Sequence, residues 1–290
     1  MSLSSVLLAG RFSAMTSYFS IAFLLVFLPV SILLYFVMPQ RAKKYTLLAV
    51  SLVFFWFISG KLIIYLLLTV MSMHWFGLWL EKIKSESFAA VKALPAENKD
   101  EKKALKTKYR KKMQCVLSFA AVLHIGVLIT LKYTPFFVSN INSLLGLFHI
   151  SASFEIPKMF IPIGLSFFSL QALSYITDVY RGTVKADENI FRLALFISFF
   201  PQIVEGPICR YSQTADALWN VKQIKYDDLA LGVQRILYGF MKKLVIADRL
   251  NPAVKEIFNN YDKYSGAVIF FGAVLYTLQL YADFSGTMDA

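Results

Sequence analysis

Residues 62–80 read LIIYLLLTVMSMHWFGLWL, a stretch without one acidic or basic side chain other than His74. A helix that crosses the hydrocarbon core of a bilayer needs roughly 20 mostly apolar residues. Residues 62–80 meet that length, and they do not stand alone. Phe12–Gln40, Tyr45–Gly60, Met113–Leu131, Met159–Thr177 and Tyr264–Ala282 also lack Asp, Glu, Lys and Arg. Buried helices of soluble proteins rarely run so far without a charge. The 290-residue chain is 57% hydrophobic and 17% charged, against about 45–50% and about 25% in soluble domains. The expected class is an all-α integral membrane protein, a multi-pass helical bundle in which residues 1–290 form one membrane domain.

Charge orients the bundle. The N-terminal apolar run is too long for a cleavable signal peptide, with only Arg11 before it. It reads as helix one, within Tyr18–Met38. Helix two falls in Tyr45–Ser59 and helix three in Leu62–Leu80. The link between one and two carries Arg41, Lys43 and Lys44. The stretch Glu81–Lys112 holds eleven Lys and Arg against five acids. Both links must lie on one side, and both are basic. The positive-inside rule makes them cytoplasmic and leaves the N-terminus outside. Residues 81–112 are expected as a solvated, partly helical cytoplasmic loop beside the membrane lipid. The net charge of +12 is juxtamembrane charge of this kind. No stacking aromatics or groove-reading motif accompanies it, so nucleic acid is not an expected partner.

Beyond Lys132 the pattern loosens. Thr134-Pro135 predicts a helix break. Phe136–Ile150 is short for a span, and Pro157 and Pro162 precede an apolar helix that runs to about Tyr180. Arg181–Arg192 is a polar link. Phe191–Val204 is too short to cross and ends in Pro201 and Gly206-Pro207. Backbone freed from helical bonding at membrane depth must be buried in protein or line a wet cavity. A re-entrant element and a site between helices are therefore expected here. Leu229–Leu250 shows helical apolar spacing interrupted by Arg235, Lys242 and Lys243, an amphipathic interfacial helix with Asp227 or Asp228 as its cap. A final span, Tyr264–Ala282, leads into Asp283-Phe284-Ser285-Gly286.

Ionisable groups within apolar stretches are costly and mark candidate sites. Glu205 is one, with an ion pair to Arg210 that holds the turn as its structural alternative, and Asp283 either lines a polar passage or meets water at the surface. Asp178, near Arg181, fits a helix end. His74, His124 and His149 lack a carboxylate or second His at useful spacing, and each reads as an interior hydrogen-bonded side chain. Cys115 and Cys209 form neither a metal-ligand spacing nor a disulfide framework. No G-x-S-x-G elbow, phosphate loop or H-E-x-x-H zinc motif is present. Residue chemistry alone reaches a membrane protein with a polar re-entrant region.

Four ordered segments go further. The first is Ile161-Pro162-Ile163-Gly164-Leu165-Ser166-Phe167-Phe168 with Gln171-Ala172-Leu173-Ser174-Tyr175 and Asp178-Val179-Tyr180-Arg181. The second runs from Phe200-Pro201-Gln202 through Gly206-Pro207-Ile208 to Arg210-Tyr211. The third is Gly239 with Lys242-Lys243 and Ala247-Asp248, and the fourth is Tyr281-Ala282-Asp283-Phe284-Ser285-Gly286. Within residues 161–290 this set resembles the membrane-bound O-acyltransferases, in the branch of the alginate O-acetylases and the teichoic acid D-alanyl transfer proteins.

The resemblance implies transfer of an acyl group, here acetyl, from a cytoplasmic thioester to hydroxyls of an extracytoplasmic cell-envelope polysaccharide. The donor would be acetyl-CoA or an acyl-carrier protein, with an extracytoplasmic partner completing the transfer in the bacterial inner membrane. A thioester is already activated, so no metal or bound cofactor is implied. Pro201, Gln202, Glu205, Gly206, Pro207, Arg210 and Tyr211, with Asp283, Ser285 and Gly286, would line the polar passage. Gln171, Tyr175, Asp178 and Arg181 would be structural. The family's membrane-embedded histidine, the general base, lies downstream of the Asp-Phe-Ser-Gly segment. No histidine of this chain matches it, so catalysis is expected to need residues beyond Ala290, and the chain alone is expected to be inactive. Thr287-Met288-Asp289 departs from the Tyr-Ser-Asp of alginate-acetylase-like relatives, which leaves the acceptor open. D-alanyl transfer to teichoic acid is the enzymatic alternative. A transporter also suits broken helices, although no internal repeat relates the halves, and an inert truncated fragment is the third reading.

Overall fold

The computed structural model describes residues 20, 22–95, 98–148, 154–157, 159–220 and 225–289, and among them every regular element is helical. In chain order these are α1 (Leu28–Val37), α2 (Lys43–Ser59), α3 (Ile63–Ala93), α4 (Lys99–Leu147), α5 (Leu165–Arg181), α6 (Ile190–Ser198), α7 (Phe200–Ile203), α8 (Tyr211–Trp219), α9 (Tyr226–Phe240), α10 (Asp248–Asn259) and α11 (Gly266–Asp289). A π-helical turn, Phe23–Phe27, precedes α1, and a second, Met241–Ala247, joins α9 to α10. Three stretches, Lys43–Ala93, Lys99–Leu147 and Gly266–Asp289, are long and apolar enough to cross a membrane. The first is α2 and α3 joined through a 3-10 turn at Gly60–Leu62. This is an all-α membrane protein, as the apolar runs predict.

The outward faces agree with a lipid solvent. On α3, Leu66, Val70 and Met73 are buried, whereas Ile64, Leu68, Met71 and Trp75 are all more than half exposed. Such a stripe on a soluble monomer would be an aggregation surface, but hydrocarbon solvates it.

The chain falls into two compact units, Ser31–Val204 with Ile208–Val221, and Met1–Val30 with Glu205–Pro207 and Lys222–Ala290. In the first unit Phe54 and Phe55 of α2, Met73 of α3, Phe168 and Tyr175 of α5 and Phe196 of α6 are almost wholly buried. Phe55 meets Phe168 edge-on at 6.0 Å, and Phe54 lies 5.8 Å from Phe200. Helices α3 and α4 form a hairpin held by an edge contact of Phe76 with Phe119 and by Ser72 Oγ, 3.0 Å from His124 Nε2. His124 is thus the interior hydrogen-bonded residue expected. His74 Nδ1 is buried with no partner among the described residues, and His149 lies outside them.

Three boundaries differ from the expectations and one agrees. Helix α4 runs unbroken through Pro135. Thr134 Oγ1 donates to the Thr130 carbonyl at 2.6 Å, and such hydroxyl bonding helps a membrane helix tolerate proline. The basic stretch 81–112 is partly helical, as expected, with α3 carrying it to Ala93 and α4 taking it up at Lys99. Neither Asp227 nor Asp228 caps α9. Lys225 holds the extended cap position, and both carboxylates sit in the first turn, where the helix dipole favours them. Residues 283–286 do not follow the last span but belong to it, since α11 continues to Asp289.

Candidate functional site

The re-entrant element begins where α6 stops. In a continuous helix the Phe200 N–H would bond the Phe196 carbonyl. Here it donates to Ser51 Oγ at 3.2 Å, and the Phe196 carbonyl accepts from Gln171 Nε2 at 2.7 Å. One broken backbone bond is thus satisfied at both ends by side chains of α2 and α5. Pro201, which has no N–H to give, sits in the first turn of α7. Gly164 enters α5 with φ +77°, and a Cβ on it would fall 2.1 Å from the Ile203 carbonyl oxygen. Ser59 Oγ accepts the Ile163 N–H at 3.1 Å. Glycine therefore lets the start of α5 press against the end of α7.

A second set of contacts ties the polar link before α6. Tyr175 Oη accepts the Asp187 N–H at 2.9 Å, and Tyr211 Oη donates to Asp187 Oδ2. Arg192 reaches Asp187 at 3.5 Å and Asp216 at 3.3 Å. Asp187 Oδ1 accepts the Asn189 N–H, and the Asn189 side chain caps α6 through the Phe191 N–H. Burial, followed by the bond to Asp187 and its charge, raises the Tyr211 phenol above its ordinary range. Tyr211 is therefore a hydrogen-bond donor at all working pH values. Asp178 and Arg181 form no ion pair among the described residues. The Asp178 carbonyl instead accepts from the Thr183 N–H and hydroxyl at the end of α5. Gln202 donates to Cys209 Sγ at 3.3 Å, and its Oε1 is buried with no partner among the described residues. The Arg210 side chain is exposed, and its residue forms the backbone cap of α8.

The ionic cluster lies in the second unit. Lys243, on the π turn, bonds Asp283 of α11 at 2.7 Å and Asp248 at 3.0 Å, while Lys242 bonds Asp289 at 2.5 Å. A Cβ on Gly286 would meet the Gly239 carbonyl at 2.9 Å and the Lys243 nitrogen at 3.1 Å. The third and fourth sequence segments therefore touch backbone to backbone. A π turn offsets the helical register, here at the residues carrying both lysines. Burial lowers the proton affinity of Lys243, and its bonds to Asp283 and Asp248 more than restore it, so the ammonium stays charged. Glu205 belongs to the same unit. Partial burial and the Asp283 charge raise its carboxyl above the ordinary range, and Lys243 opposes them. Gly206 is buried, Pro207 exposed, and Ser285 Oγ is buried with no partner among the described residues.

The structure thus gathers Glu205, Asp283 and Gly286 around Lys242 and Lys243. It places Gln171, Pro201 and Gln202 at the re-entrant turn, and Tyr175 and Tyr211 on Asp187. Asp187, Arg192 and Asp216 carried no sequence signal beyond lying in or near polar links. Among the described residues no three His, Cys, Asp or Glu side chains group closely enough to hold a metal ion. The cluster sets two ammonium groups among three aspartates, and Glu205 can keep a proton to higher pH than a surface carboxyl.

These features define a helical membrane protein with an ion-paired site on its last span. The chain is 32% identical over 268 residues to the probable alginate O-acetylase AlgI of Azotobacter vinelandii, a match covering 92% of this chain and 48% of the relative. The peptidoglycan O-acetyltransferase of Helicobacter pylori is 27% identical, covering 92% of this chain and 51% of the relative. The teichoic acid D-alanyltransferase of Bacillus subtilis is 28% identical over 134 residues, 43% of this chain and 32% of that protein. No protein-family model matches the chain. The chain is a homologue of these proteins, which bears out its resemblance to the membrane-bound O-acyltransferases. It spans about half the length of the curated relatives it matches.

Proposed function

We propose that the protein carrying this chain O-acylates a cell-envelope polysaccharide, with acetyl as the acyl group and a cytoplasmic thioester, acetyl-CoA or an acyl-carrier protein, as donor. The acceptor hydroxyl oxygen bonds the thioester carbonyl carbon, the carbon–sulfur bond breaks, and a thiol leaves. The hydroxyl proton passes to a base, which the family resemblance implies is a histidine outside this chain's motifs, and the base hands it on to the departing sulfur. The protein sits in the bacterial inner membrane with its N-terminus outside and residues 81–112 in the cytoplasm, and an extracytoplasmic partner completes delivery to the polymer. One observation carries the reading: Lys242, Lys243, Asp248, Asp283 and Gly286, drawn from two separate motif segments, meet in one bonded cluster. The longer match to O-acetyltransferases than to the D-alanyltransferase favours acetyl over D-alanyl.

The test is Asp283→Asn in the whole protein, expressed in a host lacking its own envelope acetylase. Ester-bound acetate on the envelope polymer should fall by about tenfold, since a charged hydrogen bond is worth roughly 1.5–3 kcal/mol. Acetylation at the wild-type level, with equal protein in the membrane, would overturn the site. Alkaline release of alanine rather than acetate from the wild-type polymer would identify D-alanyl transfer. Solute flux with no acyl ester formed would indicate a transporter.

A further inference from the structure

The hairpin of α3 and α4 holds a groove of about 640 Å³ that no part of the proposed reaction uses. Ile83, Val116 and Phe119 form its apolar floor, with Trp79, Lys82 and Lys112 at its rim. The groove lies where both helices change solvent. On α3 the charged residues begin at Glu81, and on α4 the basic run ends at Lys112. Trp79 and Phe119, each about half exposed, stand on the apolar side of that line. Tryptophan favours this depth in a bilayer, and lysine stems reach from it toward headgroups.

We propose that this groove binds an anionic phospholipid. Charge complementarity selects it. Lys82 and Lys112 make no ion pair among the described residues, and Lys112 only overlies the Tyr109 ring at 5.3 Å. Glu86 is the one acid on the lining, and Lys108, Arg110 and Lys111 precede Lys112 on the same helix. Two ammonium groups take the headgroup phosphate, Trp79 covers the ester region, and one acyl chain lies along Val116 and Phe119. A zwitterionic lipid offers the same chain but no net charge for the lysines. Basic pockets between membrane helices recognise anionic headgroups in this way.

Cys115 lies on the groove lining and is exposed, so it reports occupancy. The chain with Cys209→Ser is purified and placed in phosphatidylcholine nanodiscs with and without phosphatidylglycerol. Phosphatidylglycerol should slow maleimide labelling of Cys115. Native mass spectrometry should show it retained over phosphatidylcholine, with about fivefold of the preference lost per lysine removed. Lys82→Gln with Lys112→Gln should therefore abolish the preference, whereas Lys255→Gln with Lys263→Gln should keep it. Inorganic phosphate should give no protection. Equal retention of the two lipids, an unchanged preference in the Lys82/Lys112 variant, or protection by phosphate alone would each overturn the proposal.

Discussion

Gly164 sits where the start of α5 meets the end of α7, and no side chain fits between it and the Ile203 carbonyl. Alanine there meets two penalties. Its positive φ alone costs about 1–3 kcal/mol, and the Cβ must displace a backbone oxygen. Gly164→Ala should give little monodisperse protein in detergent, or a Tm many degrees below wild type. Gly232, inside α9, has nothing within 4 Å of a built Cβ. Gly232→Ala should hold or slightly raise Tm, since alanine is the better helix former by about 0.5–1 kcal/mol. Equal Tm values for the two variants would refute the close approach. Gly164 was visible in sequence as part of the Ile-Pro-Ile-Gly segment. Its reason was not, because Ile203 lies on another element and only the packed chain brings that carbonyl to it.

The break between α6 and α7 shows how a short apolar run is held. Ser51 takes the freed Phe200 N–H, and Gln171 supplies the lost donor to Phe196. A buried polar group left without a partner costs about 1–3 kcal/mol. Ser51→Ala and Gln171→Leu should each lower thermal stability by that order, followed by circular dichroism in detergent. The double variant should lose less than the sum, because both act on one joint. Full additivity would mean that the two bonds are independent. Pro201 and the length of Phe191–Val204 made the break readable, and Gln171 stood in a motif segment. Ser51 did not, since a serine in an apolar helix most often bonds its own backbone, and this one also donates to the Leu47 carbonyl. Pro135 misled for the opposite reason, because a neighbouring threonine hydroxyl and the membrane setting favour continuing the helix.

Orientation is a property of the whole chain in its membrane. The basic stretch 81–112 and the Arg41–Lys44 link both argue for the cytoplasmic side. Ala89→Cys, exposed on α3, tests this once Cys115 and Cys209 are replaced by serine. A membrane-impermeant maleimide should label it only after the cells are permeabilised, and labelling of intact cells would reverse the orientation. The sequence by itself determined the all-α membrane class and carried the resemblance to the O-acyltransferases. Both depend on local quantities, namely the length of uncharged runs and the order of short segments, and lipid accepts any sufficiently long apolar helix. Only the tertiary structure decided the partners: Lys243 between Asp248 and Asp283, Tyr211 on Asp187, and Gly286 against the π turn. Hydrogen bonds and ion pairs are directional and act only within about 3–4 Å. Their partners here come from different segments of the chain, and the packing of those segments selects them.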